Sequence, residues 1–323
     1  MSQFAAAVNY SMLALAYNVP LLFASQLPTV FMHTMHAAQA AITQLSSDDD
    51  RATDIGKLSL SYATGMVVGS FLGGNLGMVY GYGMVAYLAA AVSFLAIPMN
   101  YKYLPNLVAP KASAGKGLDI SKISKLMGKP AVRDMVILQL IVGLGLSVHS
   151  KSFSQVLRVH FELDASTIGQ VMSVGGVVSV LTNVVVIPYM SGLILEMHAL
   201  RGAIEVLGMC FLLYAMTYSL PLLFVGSVPL TICSTVIYTL FSTAMSKAVE
   251  KSEAGTSIGL GHACRTLCGI ASPLIAAYLY EMIGFAAIGG FGLLSCVLAI
   301  MYALRSGAFH HEVQPTTSSK KDK

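Results

Sequence analysis

The side chains with chemistry open to them are the polar and ionisable ones set inside long apolar runs. Arg265 stands in the middle of TSIGLGHACRTLCGIASPLIAAYLY, with His262 three residues earlier on the same helical face. His33 and His36 form a second pair in QLPTVFMHTMHAAQA, with Gln39 one turn further on. Gln139, Gln170, Asn183 and Tyr238 are further polar groups in apolar surroundings, as are His149, Thr231, Ser234 and Thr235. An Arg at the centre of a hydrocarbon span costs about 2.5–3.5 kcal/mol on insertion scales, so it needs company. The sequence puts Asp54, Asp134, Glu205 and Glu281 at the ends of apolar runs and no carboxylate in the middle of one. Arg265 is thus left with backbone and hydroxyl groups, a carboxylate brought from elsewhere, or an anionic ligand. Two roles stay open for it, one in a substrate path or gate and one as a structural hydrogen-bonding group. His33 and His36 either line a cavity or pack between helices, and an imidazole titrates in the range that proton carriers need.

Other chemistries lack their residues. No run carries paired mid-depth carboxylates, a nucleophile elbow or an HExxH, so the chain does not read as an enzyme and no cofactor is expected. Cys264 and Cys268 share a helical face near His262, but zinc prefers ligands clustered from several segments, and no metal is expected. All five cysteines lie in apolar runs, where they act as small hydrophobes. The basic residues are scattered without interleaved aromatics, which excludes nucleic acid as a partner.

The elements that must hold these residues follow from hydropathy. Only 11% of the 323 residues are charged and 55% are apolar, against roughly 25% charged in a soluble domain. Lipid is the solvent. Ten runs long enough to span are predicted at about 3–18, 20–44, 55–78, 82–100, 132–150, 166–190, 202–219, 221–245, 255–280 and 284–304. They lack the period-two alternation of a barrel strand, so the fold class is an all-α polytopic membrane protein. Met1-Ser2-Gln3 offers no basic start, so the first run reads as a span and not a signal peptide, and the sequon Asn9-Tyr10-Ser11 falls inside it. With ten spans the termini share a side with 16 of the 19 basic residues, leaving Lys151 and Arg158 opposite; that side is predicted to be cytoplasmic. A polar stretch at 101–131 divides a four-span front (1–100) from a six-span back (132–305), and 306–323 is a polar tail. Inside the stretch, Ile120, Ile123, Leu126 and Met127 share one helical face while Lys122, Lys125 and Lys129 share another, which suits either a helix on the inner leaflet or a simple linker.

The third run is rich in glycine. Gly56, Gly65, Gly69, Gly73 and Gly74 fall largely at four-residue steps in GKLSLSYATGMVVGSFLGG, which strips one face and lets another helix come close. This spacing resembles the fifth-helix signature of major facilitator superfamily antiporters, with Ser70 where that signature has Pro. GLILEMHALRG resembles the cytoplasmic signature between the family's helices eight and nine, with Gly192, Glu196 and Arg201 in place and Ala199 where Gly is usual. The segment from Glu253 to Phe285 resembles the eleventh helix, and the similarity runs from about residue 20 to 305.

Against the family's twelve helices the ten runs become helices three to twelve, with the first two lacking, for which a partial gene model or an alternative start is a simpler account than a truly shortened transporter. The resemblance implies two helix bundles and a secondary transporter that moves small amphipathic organic solutes, organic cations and drugs, by alternating access. It also implies protons as coupling ion, although Gln26 stands where the family has the basic residue linked to proton coupling. The implied partners are a small organic solute, the bilayer and protons, in the plasma membrane or an intracellular membrane; the oligomeric state is not legible. The rival reading is a non-transporting membrane protein that uses the same helices for interaction or regulation, or an inactive partial product.

Overall fold

The structure, a computed structural model, describes residues 1–32, 34–45, 51–103, 120–193, 196–217, 219–249 and 253–310. Among the described residues thirteen α-helices follow in chain order: α1 (Ser2–Ala14), α2 (Val19–Ser25), α3 (Thr34–Leu45), α4 (Arg51–Tyr80), α5 (Tyr82–Tyr103), α6 (Ile120–Met127), α7 (Pro130–Val159), α8 (Ala165–Leu181), α9 (Ile187–Leu193), α10 (Glu196–Met216), α11 (Leu220–Lys247), α12 (Ala254–Met282) and α13 (Phe285–Ser306). A 3-10 turn, Leu27–Phe31, joins α2 to α3, and a π-helical turn, Thr182–Val186, joins α8 to α9. The π turn precedes Pro188, which has no N–H to continue the α ladder.

Seven helices among the described residues are long and apolar enough to cross a membrane: Tyr82–Tyr103, Pro130–Val159, Ala165–Met190, Met197–Met216, Leu220–Met245, Thr256–Met282 and Phe285–Ser306. They match the last seven predicted runs. The front differs in detail. The run at 3–18 yields only the 13-residue α1, because Asn18 accepts from Leu21 N–H at 2.8 Å and starts a new helix with Pro20 in its first turn. The run at 20–44 is not one helix, since Pro28 enforces the 3-10 turn between α2 and α3. Asn9 is buried and its amide donates to Ser25 O, so the sequon is engaged in packing.

Two compact units result. The first comprises Met1–Lys116 and Leu163–Val177, the second Gly117–Glu162 and Val178–Lys323. In the first unit α1 lies along α5, with Ala5, Ala6 and Ala7 buried on one side and Ala86 and Ala90 on the other. In the second, α7, α10, α11, α12 and α13 share a core built on Leu138, Ile204, Phe211, Ile237, Phe241 and Met245. Gly289 and Gly292 of α13 leave room for Phe211 and the α10 backbone, which a Cβ at either position would meet at 2.6–2.8 Å. The predicted middle-loop helix forms as α6, and its apolar face is turned to protein: Leu126 is buried in this core. Lys129 just beyond it pairs with Glu253 at 2.6 Å. Both side chains are 40% exposed, so the pair contributes at most about 1 kcal/mol.

Candidate functional site

Which residues α12 buries determines where its arginine goes. The buried stripe reads Ser257, Gly261, Cys264, Cys268, Ser272 and Ala276, all small and spaced by three or four. Small residues let α12 close on α7: Cys268 Sγ lies 3.6 Å from Leu140 O, and Gln139 donates from Nε2 to Gly261 O at 3.1 Å. A Cβ on Gly261 would come within 2.9 Å of Met245 Sδ and 3.2 Å of Gln139 Oε1, so glycine fits the approach. With that stripe on the core, Arg265 projects from a different face of the helix. It lies eleven residues into α12, roughly 16 Å from the helix start at 1.5 Å per residue.

The guanidinium of Arg265 lies over the ring of Tyr238, on α11, at 3.8 Å from its centroid. This aromatic face is the company that the sequence required of it. A cation over a ring is worth ~0.5–2 kcal/mol, more where water is excluded. Among the described residues no carboxylate pairs with Arg265. Around the pair opens a recess of about 530 Å³, within the range of small-molecule sites. From α7 it is lined by Leu146, Ser147, His149, Ser150 and Lys151. From α11 come Leu230, Ser234 and Tyr238, and from α12 Arg265, Thr266, Gly269 and Ile270. All of these belong to the second unit. His149 is buried against Phe153, Phe211 and Tyr214, with Nδ1 making no hydrogen bond among the described residues.

The sequence-derived candidates separate. Tyr238 and Arg265 meet in the recess, and His149 and Ser234 join them. Gln139 stands behind it as a packing residue between α7 and α12. His262 is exposed, and its carbonyl accepts from Thr266 Oγ1 at 3.0 Å. Asn183 donates to Ser179 O at 2.9 Å, and Gln170, exposed on α8 in the first unit, has Nε2 3.4 Å from Ser166 Oγ. His33 lies outside the described residues. His36, Gln39, Gly192 and Glu196 are on α3, α9 and α10, with their side chains outside the description. Arg201 lies within α10 and not in a loop, paired with Glu205 at 2.8 Å; Glu205 in turn stands midway along that helix, where the sequence had put it at an end. No group of three metal-ligating side chains converges among the described residues.

Sequence reasoning passed over Lys151, Ser147, Ser150 and Thr266. It assigned Lys151 to a loop, but α7 runs nine residues beyond the predicted end, to Val159, and carries Lys151 on the recess side. The signal was present: SVHSKSFSQVLRV contains no helix breaker.

The glycine face of α4 also resolves. Among the described residues, a Cβ on Gly65 or Gly69 would meet nothing within 4 Å, and one on Gly73 only a Val85 methyl at 3.9 Å. The close approach is at Gly74, where a Cβ would lie 2.5 Å from Ala165 O and 3.0 Å from the Cα of Gly169. On the α8 side a Cβ at Gly169 would lie 2.5 Å from Ser70 O, and one at Gly176 2.7 Å from Val67 Cγ2. Ser173 Oγ donates to Val67 O at 2.8 Å, and Ser166 and Asn75 side chains bond at 2.7 Å. Gly56 has no described environment.

Comparison with known proteins agrees with this architecture. The sequence matches the Major Facilitator Superfamily over residues 1–273. It is 30% identical to rat (Rattus norvegicus) solute carrier family 22 member 18 across 88% of this chain and 70% of that protein. Human (Homo sapiens) solute carrier family 67 member A1 is 29% identical across 90% of this chain and 72% of its own length. Among solved structures, the human organic anion transporter MFSD10 (TETRAN) superposes with a TM-score of 0.66 at 19% identity, covering 92% of this chain and 75% of that one. A POT family transporter in complex with a thioalcohol-conjugated peptide gives 0.74 at 11% identity, covering 97% and 81%.

Proposed function

Because the chain belongs to the Major Facilitator Superfamily, we propose that it is a secondary active transporter moving a small amphipathic organic solute across its membrane by alternating access, with the Arg265–Tyr238 recess as part of the solute path. It is a multi-pass integral membrane protein of transporter family, not an enzyme. The observation that carries the proposal is Arg265 itself: a permanent charge midway along a membrane-length helix, held over an aromatic ring at the edge of a solute-sized recess, with no carboxylate partner among the described residues.

The small residues shared by α4 and the first half of α8 fit the same cycle. Backbones that touch without side chains between them give a contact that either closes fully or is lost, which suits a transporter alternating between two states. Both termini and the 101–131 stretch are proposed to be cytoplasmic, from the basic bias. The front bundle, 1–100, and the back bundle, 132–305, are the proposed moving bodies. Proton coupling and an organic-cation substrate, both drawn from resemblance, find less support in the residues, since Gln26 is neutral and the described recess lining holds no acid.

Uptake or efflux by the full chain in proteoliposomes tests the proposal, using a panel of amphipathic solutes with and without a pH gradient. Solute-dependent flux that Arg265→Gln alters in rate or preference is expected. A chain that inserts but moves none of the panel sinks the proposal and favours a membrane interaction or regulatory role.

A further inference from the structure

We infer that the recess receives an oxyanion, the carboxylate, sulfonate or phosphate end of a solute with an apolar body. The inference rests on the transporter reading and deepens it to a substrate class. Arg265 and Lys151 both line the recess, from α12 and α7, and among the described residues no Asp or Glu lines it. Acids along the same helices are engaged or distant: Asp134 of α7 accepts from Tyr302 OH at 2.9 Å and lies 3.4 Å from Arg133 Nε, Glu253 at the start of α12 pairs with Lys129 at 2.6 Å, and Glu281 lies near the far end of α12. Arg265 presents five N–H donors, and a ring face beneath the guanidinium leaves most of them for a ligand. An oxyanion there takes two parallel charge-assisted hydrogen bonds, shorter and stronger than neutral ones.

The remaining lining suits such a molecule. Ser147 supplies a hydroxyl, those of Ser150 and Thr266 being committed to Ser147 O at 3.2 Å and His262 O at 3.0 Å, and Leu146, Leu230 and Ile270 supply the apolar wall for its body. An organic cation meets the opposite situation. It would approach two positive side chains with no carboxylate among the described lining residues to offset them, and would have to displace Arg265 from the Tyr238 face.

The test reads charge preference by binding, apart from transport. The full chain in phosphatidylcholine nanodiscs is titrated with three probes sharing one ring system: 2-naphthoate, its uncharged amide, and a naphthylmethyl trimethylammonium. The carboxylate is expected to bind about tenfold or more tighter than the other two. Arg265→Gln and, separately, Lys151→Gln should each erode that preference, and Arg265→Lys should restore part of it while showing that the fold tolerates change at this position. Binding of the ammonium as tight as the carboxylate overturns the inference, as does binding of none of the three, or an unchanged preference in both Gln variants. Adding phosphatidylserine distinguishes sources: competition with the naphthoate keeps the oxyanion assignment and makes a lipid headgroup its bearer, while no competition keeps it for a water-borne solute. Naphthoate binding without flux in proteoliposomes would sink the transport proposal and leave this inference standing.

Discussion

The α4–α8 crossing in the first unit and the Arg265 recess in the second are built on opposite principles. At the crossing, Gly74 faces Gly169 and Ser173 bonds directly to the Val67 carbonyl, so backbone meets backbone and one methylene is too much. At the recess, α11 and the touching pair α7 and α12 leave a space bordered by Arg265, Lys151, Tyr238 and hydroxylated side chains, with Leu146, Leu230 and Ile270 as its apolar wall. Small residues thus decide where helices touch, and large polar ones where they do not. In a bilayer this follows from the lack of a hydrophobic drive between helices, which leaves close packing and polar contacts as the terms that select one arrangement.

The largest effect that would test this contrast is at the crossing. Gly169→Val would push a branched side chain into the Ser70 carbonyl and the Gly74 backbone, neither of which can rotate away. A loss of about 3 kcal/mol or more is expected, because overpacking against backbone has no cheap relaxation. Gly69→Ala, four residues before Gly73 on the same face of α4, should not destabilise and should add up to about 1 kcal/mol, since among the described residues its Cβ meets nothing and Ala favours the helix. Thermal unfolding of both variants in detergent checks the pair. Equal destabilisation by the two would break the distinction between a seam at Gly74 and a glycine stripe along the whole helix.

Next in size is the ring beneath Arg265. Tyr238→Leu removes the aromatic face and should cost about 0.5–2 kcal/mol of guanidinium positioning. It should appear as weaker solute binding more than as lower stability. Tyr238→Phe keeps the face and should retain most of the binding. If Phe behaves like Leu, the phenol oxygen and not the ring holds Arg265, and the account of its free donors must change.

How much of this was legible depends on what kind of term dominates at each place. The seven long helices follow from sequence because apolar runs of about 20 residues admit few other structures in lipid. The front was misjudged as two unbroken spans because a hydropathy window averages over Pro20, Pro28 and the capping Asn18, whose effects are local. Arg265 was identifiable as a functional candidate from its depth alone. Its partner was not, because a search for a carboxylate overlooks an aromatic face contributed by a helix 27 residues earlier. The glycines of α4 were visible, but which of them matters depends on the partner helix. The small positions of ASTIGQVMSVGG carried that half of the pattern and went unread. Cys264 and Cys268, weighed as metal ligands, are packing residues of the stripe that faces α7.

A buried amide behind the recess offers a smaller effect. Gln139 satisfies Gly261 O, while its Oε1 has no hydrogen-bond partner among the described residues. Gln139→Leu removes an acceptor already unsatisfied and one modest hydrogen bond, so the two changes nearly offset and stability should move by less than about 1 kcal/mol. Solute binding should be unchanged, since Gln139 does not line the recess. A marked loss of binding, with the fold intact, would return Gln139 to the solute path.

The smallest expected effect lies at the start of α8, the helix whose first half forms the crossing. Asp164 accepts from Thr167 N–H at 2.7 Å as an N-cap, and that backbone bond holds its carboxyl below the ordinary carboxylate range. A carboxylate with a depressed folded pKa stabilises the protein above its unfolded pKa, and the contribution fades as pH falls through the folded value. Asp164→Asn keeps the accepting oxygen and removes the charge, so the variant should lose a slice of the acid sensitivity while remaining close to wild type at low pH. Asp164→Ala should be weaker at every pH because the cap itself is gone. Melting temperatures of the three proteins from neutral pH down to about pH 3 separate these cases. If wild type and the Asn variant lose stability in parallel on acidification, the carboxylate charge contributes nothing at this helix end and only the hydrogen bond counts.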